Sequence, residues 1–440
     1  MTPTLVTPQE TVPLYRRWRI QIFAITWIAY AGFYFSRQAF SVAKLGILED
    51  PLVNTTLTKG ALANLDAVYL AAYACGQFAW GSVSDRYGPR VVLLGGLAIS
   101  AIATMFMGLA PTLLFLLPLM IVQGLAQSTG WSGTLNNMAQ FFSIGERGRI
   151  LGIWSTNYAF GGLVAAPVLG WVAYSVFGNW RSAFFTGSLT VLIVFLLVFF
   201  LQRNRPEDVG LPPIEEYHAQ DAAQLVDEKS SSEAIAEPAR SVRQTFLTVI
   251  QDRMVVTLGA AYFLLKPARY AILLWGPVIV AERLHNTGHL QAVVIPIAFG
   301  VAGVIAPVVI GRISDKLFHA RRIPACVLSL AALVTILALF TPLTGTGKAW
   351  VMVAVLAVIG LTIYSADAMI SCVSAVDFGT SKHAGAASGI INGCGSVGAI
   401  LGGLLPGYLT TSTLFYGFAV AAFLAMLLLL PHWNRMPAAE

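Results

Sequence analysis

Apolar runs of about twenty residues recur along this chain, each the length a helix needs to cross the roughly 30 Å hydrocarbon core of a bilayer. They fall near 19–43, 60–82, 90–110, 113–141, 150–174, 181–201, 254–281, 290–311, 323–342, 349–374, 384–410 and 412–431 of 440 residues. In lipid every backbone N–H and C=O must find its partner within the protein, so only helices and closed barrels span it. Barrel strands would alternate polar and apolar residues, which these runs do not. The pattern predicts an all-α membrane protein of twelve transmembrane helices. Only 11% of the residues are charged and the mean hydropathy is +0.72, whereas soluble domains carry about 25% charged residues.

Between the sixth and seventh runs lies a polar stretch rich in Glu, Asp, Ser, Pro and Ala that cannot bury a core of its own. The expected organisation is therefore an N-terminal segment (1–18), a six-helix half (19–201), a linker (202–253), a second six-helix half (254–431) and a tail (432–440). Lysines and arginines fix the expected orientation. With the N-terminus in the cytoplasm, about 19 fall on cytoplasmic segments, about 5 on external ones and 3 at membrane depth, as the positive-inside rule requires. Both termini and the linker are thus expected in the cytoplasm. The net charge of +6 is scattered over loops rather than gathered on one face, which argues against nucleic acid as a partner. Cys75, Cys326, Cys372 and Cys394 show no CxxC spacing and are expected as small core residues. No cleavable signal peptide is expected, because the first run follows Arg16, Arg17 and Arg19 without a small-residue cleavage site.

Few charges lie within the runs. FLLKPARYAILLW (Phe263–Trp275) holds Lys266 and Arg269, three apart and so on one helix face, and YAGFYFSRQAF in the first run holds Arg37. A lone cation near the bilayer centre costs about 2.5 kcal/mol or more, and arginine does not shed its proton. These segments must therefore face an anion, a carboxylate or a water-filled cavity. Two acids lie at similar depth, Asp66 in LANLDAVYLAAY and Asp367 in IYSADAMI, leaving a formal excess of one positive charge over the three cations. One of the two acids is expected to pair with Lys266 when the site is empty, since an isolated buried charge is the costly alternative. The rival reading has Asp367 holding the amine of a zwitterionic substrate. Tyr34 and Tyr270, each close to an arginine, are further candidates for the cavity wall, with Tyr73, Gln77, Trp131, Asn136, Tyr158 and Asn392. No nucleophile with a matched base and no metal-ligand cluster is evident, so neither an enzyme nor a bound metal or cofactor is expected.

The halves also repeat. GSVSDRYGPR (Gly81–Arg90) follows the second run and GRISDKLFHARR (Gly311–Arg322) the eighth; GGLVAAPVLG (Gly161–Gly170) in the fifth answers a glycine-rich run ending GGLLPG (Gly402–Gly407) in the eleventh. Such small-residue stretches let helix backbones approach closely. Through Gly81, Asp85, Arg86, Gly88 and Arg90, the first loop resembles the signature of the major facilitator superfamily. That resemblance implies two six-helix pseudo-symmetric halves rocking about a midplane site, with Arg37 and Arg269 confronting each other from opposite halves. Arginine's planar fork matches phosphate oxygens two at a time, so the anion implied is inorganic phosphate or a phosphate ester.

More specifically, YFSRQAF, AAYACGQFAWGSVSDR, GLAQSTGW, ERGRILGIWS, DVGLPPIEEY and KPARYAILLW together resemble the organophosphate:phosphate antiporter family over nearly the whole chain. The resemblance implies that Arg37 and Arg269 bind phosphate, and that a glycerol-phosphate, sugar-phosphate or phosphoglycerate type of ester is exchanged one for one against inorganic phosphate by a cofactor-free monomer in a bacterial inner membrane. The chain departs from the glycerol-3-phosphate carriers at Gln77, where they have lysine, at Tyr158, where they have histidine, and at Ser132 and Gly133, where they have prolines. Lys266 and the VSAVDFGTSKHAGAASGIINGCGSVGAILGG stretch are closer to the eukaryotic sugar-phosphate exchangers. A phosphate-ester sensor of the same fold, and a proton-coupled symporter using Asp66 or Asp367, are the alternatives.

Overall fold

The computed structural model describes residues 8–109, 112–142, 150–151, 153–154, 156–214, 251–284, 286–318, 321–373 and 384–434. Its first half contains α1 (Pro8–Glu49), α2 (Lys59–Tyr87), α3 (Pro89–Leu109), α4 (Leu113–Phe141), α5 (Thr156–Trp171, extended by a π turn, Val172–Val176) and α6 (Arg181–Leu201). The second contains α7 (Arg253–Arg283), α8 (Ile297–Leu317, after a short helix His289–Val294), α9 (Arg322–Thr344), α10 (Ala349–Ala368, extended by a π turn, Met369–Val373), α11 (Ala384–Leu404) and α12 (Thr411–Leu429). Among the described residues ten helices, α8 taken with its lead-in, are long and apolar enough to cross a membrane. α1 and α2 fall short of that mark despite their 42 and 29 residues, because polar and charged side chains interrupt their apolar runs.

Side-chain oxygens cap several helices at their first turn. The Thr58 hydroxyl accepts from the amide of Ala61 ahead of α2, Asp252 from Met254 ahead of α7 and Thr410 from Thr413 ahead of α12. Between α2 and α3 the chain reverses through Gly88, whose φ of 86° suits a residue without a Cβ, and restarts at once with Pro89.

The internal repeat is visible in atomic contacts. A Cβ placed on Gly124 of α4 would stand 2.4 Å from the backbone oxygen of Tyr69 on α2, and one on Gly360 of α10 would stand 2.2 Å from that of Phe299 on α8. Likewise Gly161 of α5 lies against the Ala31 carbonyl and Tyr34 of α1, and Gly402 of α11 against the Pro267 carbonyl and Tyr270 of α7. The correspondence sets a register: Tyr34 matches Tyr270, so Arg37 matches Leu273 and Arg269 matches Phe33. The two arginines stand one helical turn out of register. Lys266 matches Tyr30, and Asp367 matches Trp131. Where the second half has a cation and an acid, the first has two aromatic rings, with centroids 5.5 Å apart.

At the end where α1 finishes, α2 begins and α7 finishes, polar contacts tie the halves together. Ser41 donates to the carbonyl of Leu274 at 2.8 Å, Lys44 to the same carbonyl at 2.9 Å and Lys59 to Glu282 at 2.6 Å. His289 meets Glu49 at 2.8 Å and Tyr408 donates to Asn64 at 2.9 Å. The glycine-rich stretches serve this junction too: Gly403 packs on Asp66, Gly407 on Ala63 and Gly170 on Val293.

After α6, residues 202–214 are packed rather than free. Leu211 and Ile214 bury against Tyr15 of α1, and the Gln202 amide donates to Asn137 of α4 at 2.9 Å. The LPPI of this segment thus has a packing role, whereas the sequence reading took it for plain linker. Residues 215–250 of the expected linker lie outside the described residues.

Because a backbone oxygen cannot step aside as a side chain can, Gly360→Leu is expected to cost about 1–3 kcal/mol. Gly95, with nothing within 4 Å of a built Cβ, should accept alanine without loss. Thermal unfolding in detergent checks both, and equal midpoints for Gly360→Leu and the parent would contradict the close approach.

Candidate functional site

α7 carries Lys266 and Arg269 into a cluster with Asp367 of α10. The Arg269 guanidinium donates to one carboxylate oxygen at 2.9 Å, and the Lys266 ammonium lies 3.4 Å from the other, which also accepts from the Tyr262 hydroxyl at 2.8 Å. Of the two acids expected as partners for Lys266, the structure pairs it with Asp367. The Tyr364 ring, three residues before Asp367 and so on its helix face, lies 4.4 Å from the Arg269 guanidinium carbon. The Nε–H of Arg269 is buried and finds no acceptor among the described residues. An orphaned donor of this kind costs about 1–3 kcal/mol, more when charged, unless a ligand or water supplies an oxygen.

Arg37 is held differently. Its Nε donates to Gln127 of α4 at 3.0 Å, the same amide oxygen accepts from Tyr69 at 2.6 Å, and the amide nitrogen donates to Ser36 at 2.9 Å. The guanidinium carbon lies 4.8 Å from the Tyr34 ring centre and 4.9 Å from that of Tyr73. Among the described residues no carboxylate comes within ion-pair distance of Arg37. A neutral relay aims the cation without cancelling it.

The expected confrontation across one pocket takes a more divided form. Arg269 lines a cavity of about 60 Å³ whose facing wall, Tyr34, Gln38, Tyr158 and Leu163, comes from the first half, while Ile272, Leu273, Pro277, Phe299 and Tyr364 come from the second. Arg37 lines a separate hollow of about 10 Å³ with Tyr69, Leu70 and Tyr73 of its own half and Tyr270 and Leu274 of the other. Each arginine thus looks onto a wall supplied by the opposite half. Tyr34 and Tyr158 fall on the larger cavity and Tyr270 on the smaller, while Gln77, Trp131 and Asn392 line neither. Trp131 packs on Tyr30 and Trp154, Asn136 donates to Ser84 at 3.1 Å, and Asn392 is exposed on α11.

The charge count from sequence needs one correction. Lys44, counted there as external, lies inside α1 with its side chain wholly buried, and it forms an ion pair with Asp66, whose side chain is 2% exposed. Four cations and two acids therefore lie within the spans among the described residues. By formal charge of those residues, Lys44 with Asp66 is neutral, Lys266, Arg269 and Asp367 sum to one positive charge, and Arg37 carries a second. The excess is two rather than one. Lys44 was within reach of pattern reading, since it sits seven residues after Arg37, two turns along the same face. Gln127 and Tyr364 carried no such signal: a lone amide and a lone ring inside apolar runs read as ordinary packing.

Comparison with known proteins finds a match to the model of the Major Facilitator Superfamily over residues 26–377. Among curated proteins the chain is 28% identical over 438 residues to a probable hexose phosphate transport protein of Chlamydia pneumoniae, covering 98% of this chain and 94% of that one. It is 29% identical over 441 residues to the glycerol-3-phosphate transporter of Bacillus subtilis strain 168, with 97% and 95% covered. To the glucose-6-phosphate exchanger SLC37A2 of Xenopus tropicalis it is 28% identical over 407 residues, with 84% and 79% covered. Among solved structures, the nucleoside transporter NupG matches with a TM-score of 0.69 at 13% identity, covering 95% of this chain and 99% of that one. A bacterial homologue of the human lysosomal transporter Spinster, in an inward-facing and unoccupied conformation, matches with a TM-score of 0.67 at 14% identity, with 94% and 95% covered.

Removing the acid alone should expose what it balances. Asp367→Asn is expected to cost about 1–3 kcal/mol in stability, because Lys266 and Arg269 lose their shared acceptor. Lys266→Met combined with Asp367→Asn is expected to recover most of that loss. Unfolding midpoints of the two variants check the pairing, and an unchanged midpoint for Asp367→Asn would contradict it.

Proposed function

Because the chain belongs to the Major Facilitator Superfamily, and is a transporter rather than an enzyme, we propose that it exchanges an organophosphate for inorganic phosphate by alternating access. The observation that carries this reading is the surplus of two positive charges within the spans among the described residues, where Arg37 meets no acid and Arg269, paired with Asp367, keeps an Nε–H without an acceptor. A phosphate dianion supplies two negative charges and several strong acceptor oxygens, and the side of a guanidinium, Nε with one Nη, can grip two of them at once. The names of the relatives support a phosphorylated sugar or glycerol as the organic partner, and the word exchanger in one of them supports antiport.

The geometry suggests how binding couples to movement. An incoming phosphate competes with Asp367 for Arg269, and its negative charge lets the Arg37 side approach. Since each arginine faces a wall built by the other half, an anion shared between them favours closure of the two halves around it. Empty, the described residues of the site keep a net excess of positive charge, which resists enclosure in a dry, low-dielectric interior; loaded, it is close to neutral. Closure is then favoured only with phosphate aboard, which is the condition for one-for-one exchange. Gln38, Tyr34 and Tyr158 stand on the larger cavity where the organic part of an ester would lie. The bias of lysine and arginine toward one set of loops supports both termini lying inside, the bacterial relatives support a bacterial cytoplasmic membrane, and a single chain holds every group the reading needs.

The test is uptake of labelled phosphate by proteoliposomes loaded with unlabelled phosphate. Arg37→Lys and Arg269→Lys keep the charge but lose the fork, and each is expected to lower this counterflow by at least about tenfold. Near-parental exchange in both variants, or accumulation driven by a pH gradient with no internal phosphate, would contradict the proposal.

A further inference from the structure

Pro277 lies inside α7, which runs unbroken from Arg253 to Arg283. It has no N–H to give the carbonyl of Leu273 four residues back, and its ring crowds that carbonyl, so the Leu273 oxygen lacks its helical donor. Donors reach this turn from the opposite half. Ser41 of α1 lies 2.8 Å from the Leu274 oxygen and 3.5 Å from that of Leu273, and Lys44, one turn further on, donates to the Leu274 oxygen at 2.9 Å. The Lys44 ammonium also lies 4.1 Å from the centre of the Trp275 ring, whose own N–H donates to the Gly403 carbonyl at 3.0 Å.

We propose that Lys44 and Ser41, bonded to the turn of α7 that precedes Pro277, form a latch that holds the two halves shut at the end where α1 and α7 finish, the outer end in the orientation proposed above. Asp66 is what makes such a latch reversible. It lies on α2, in the same half as Lys44, so the ion pair travels as a unit and stays neutral when the halves part. Opening breaks the bonds of Lys44 and Ser41 to the Leu273 and Leu274 carbonyls and the contact of Lys44 with Trp275, and water can replace the bonds to the carbonyls once the cleft is wet. Without Asp66 the latch would seat a bare cation in an apolar interface, at several times the cost. Gly403, where a Cβ would come within 3.0 Å of the Cβ of Asp66, lets α11 press the pair into place from the other half. The roles of Lys44 and Ser41 are positional: neither lines the cavity of Arg269 or the hollow of Arg37. The latch depends on alternating access by these halves and not on which anion is carried.

Distances between spin labels test it in lipid nanodiscs, without added substrate, after replacing Cys75, Cys326, Cys372 and Cys394 by serine. One pair of labels at Leu52 and Trp350 reports the latched end, and a second at Tyr87 and Leu317 the opposite end; all four positions are well exposed. Lys44→Met combined with Asp66→Asn removes the pair without stranding either charge. It is expected to raise the population with a long Leu52–Trp350 distance by about tenfold while shortening Tyr87–Leu317, the mark of a shift between two states. Ser41→Ala is expected to move both distances the same way by a few-fold, and it decides the matter if the double variant does not fold. Distributions identical to the parent, or both pairs lengthening together as loosened packing would make them, overturn the latch. Phosphate binding, measured on the same samples by calorimetry, fails or survives independently, so loss of the phosphate reading is distinguishable from loss of the latch.

Discussion

A charge that cannot be neutralised by losing its proton must be paired, hydrated or matched by a ligand before lipid will tolerate it, and among the described residues the spans hold two more cations than acids. That constraint orders much of what surrounds them. Gln127, Tyr69 and Ser36 exist around Arg37 as a neutral relay that fixes its direction while leaving its charge intact. Asp367 restrains Arg269 and Lys266 together, so one acid serves two cations and the cluster stays positive. Lys44 and Asp66, fully matched to one another, stand apart from this surplus and are free for a mechanical role.

The twofold repeat in the chain builds two similar halves, but the charges do not obey it. Gly124 and Gly360, and again Gly161 and Gly402, occupy corresponding close contacts, so the backbones repeat faithfully. At the level of side chains, Lys266 and Asp367 answer to Tyr30 and Trp131, and the two arginines stand a turn apart along their helices. A symmetric pair would present the same face to the same side of an anion. In the proposed exchange, an offset pair would reach the phosphate from different heights along the two helices.

The membrane-helix fold class was legible from apolar runs alone, because length and hydropathy are the terms that lipid itself reads. Arg37, Lys266 and Arg269 were legible for the same reason: a cation in such a run has few excuses. Lys44 escaped because the first run was ended near residue 43, and a lysine just past an apolar run reads as an interfacial anchor. α1 in fact continues to Glu49, and the residue is buried by α7 and α2, contacts between distant segments that no local window contains. The packing of Leu211 and Ile214 on Tyr15 was hidden likewise, since a short apolar pair in a polar stretch carries no period. Which polar and aromatic side chains reach the cavity was the least legible part. Tyr34, Tyr158 and Tyr270 line hollows while Trp131 fills a packing gap, and only the crossing of helices tells them apart.

Two hollows with a cation on each stand behind the proposed exchange, which asks that one ligand touch both guanidiniums to draw the halves together. A structure determined with inorganic phosphate bound in a lipid environment examines that demand at the atoms concerned. Phosphate oxygens should be seen within hydrogen-bond distance of both Arg37 and Arg269, with the Nε–H of Arg269 engaged and Asp367 turned toward Lys266. Phosphate resting on one arginine alone, or on neither, with the Arg269–Asp367 pair intact, would contradict the shared grip on which exchange is here made to depend.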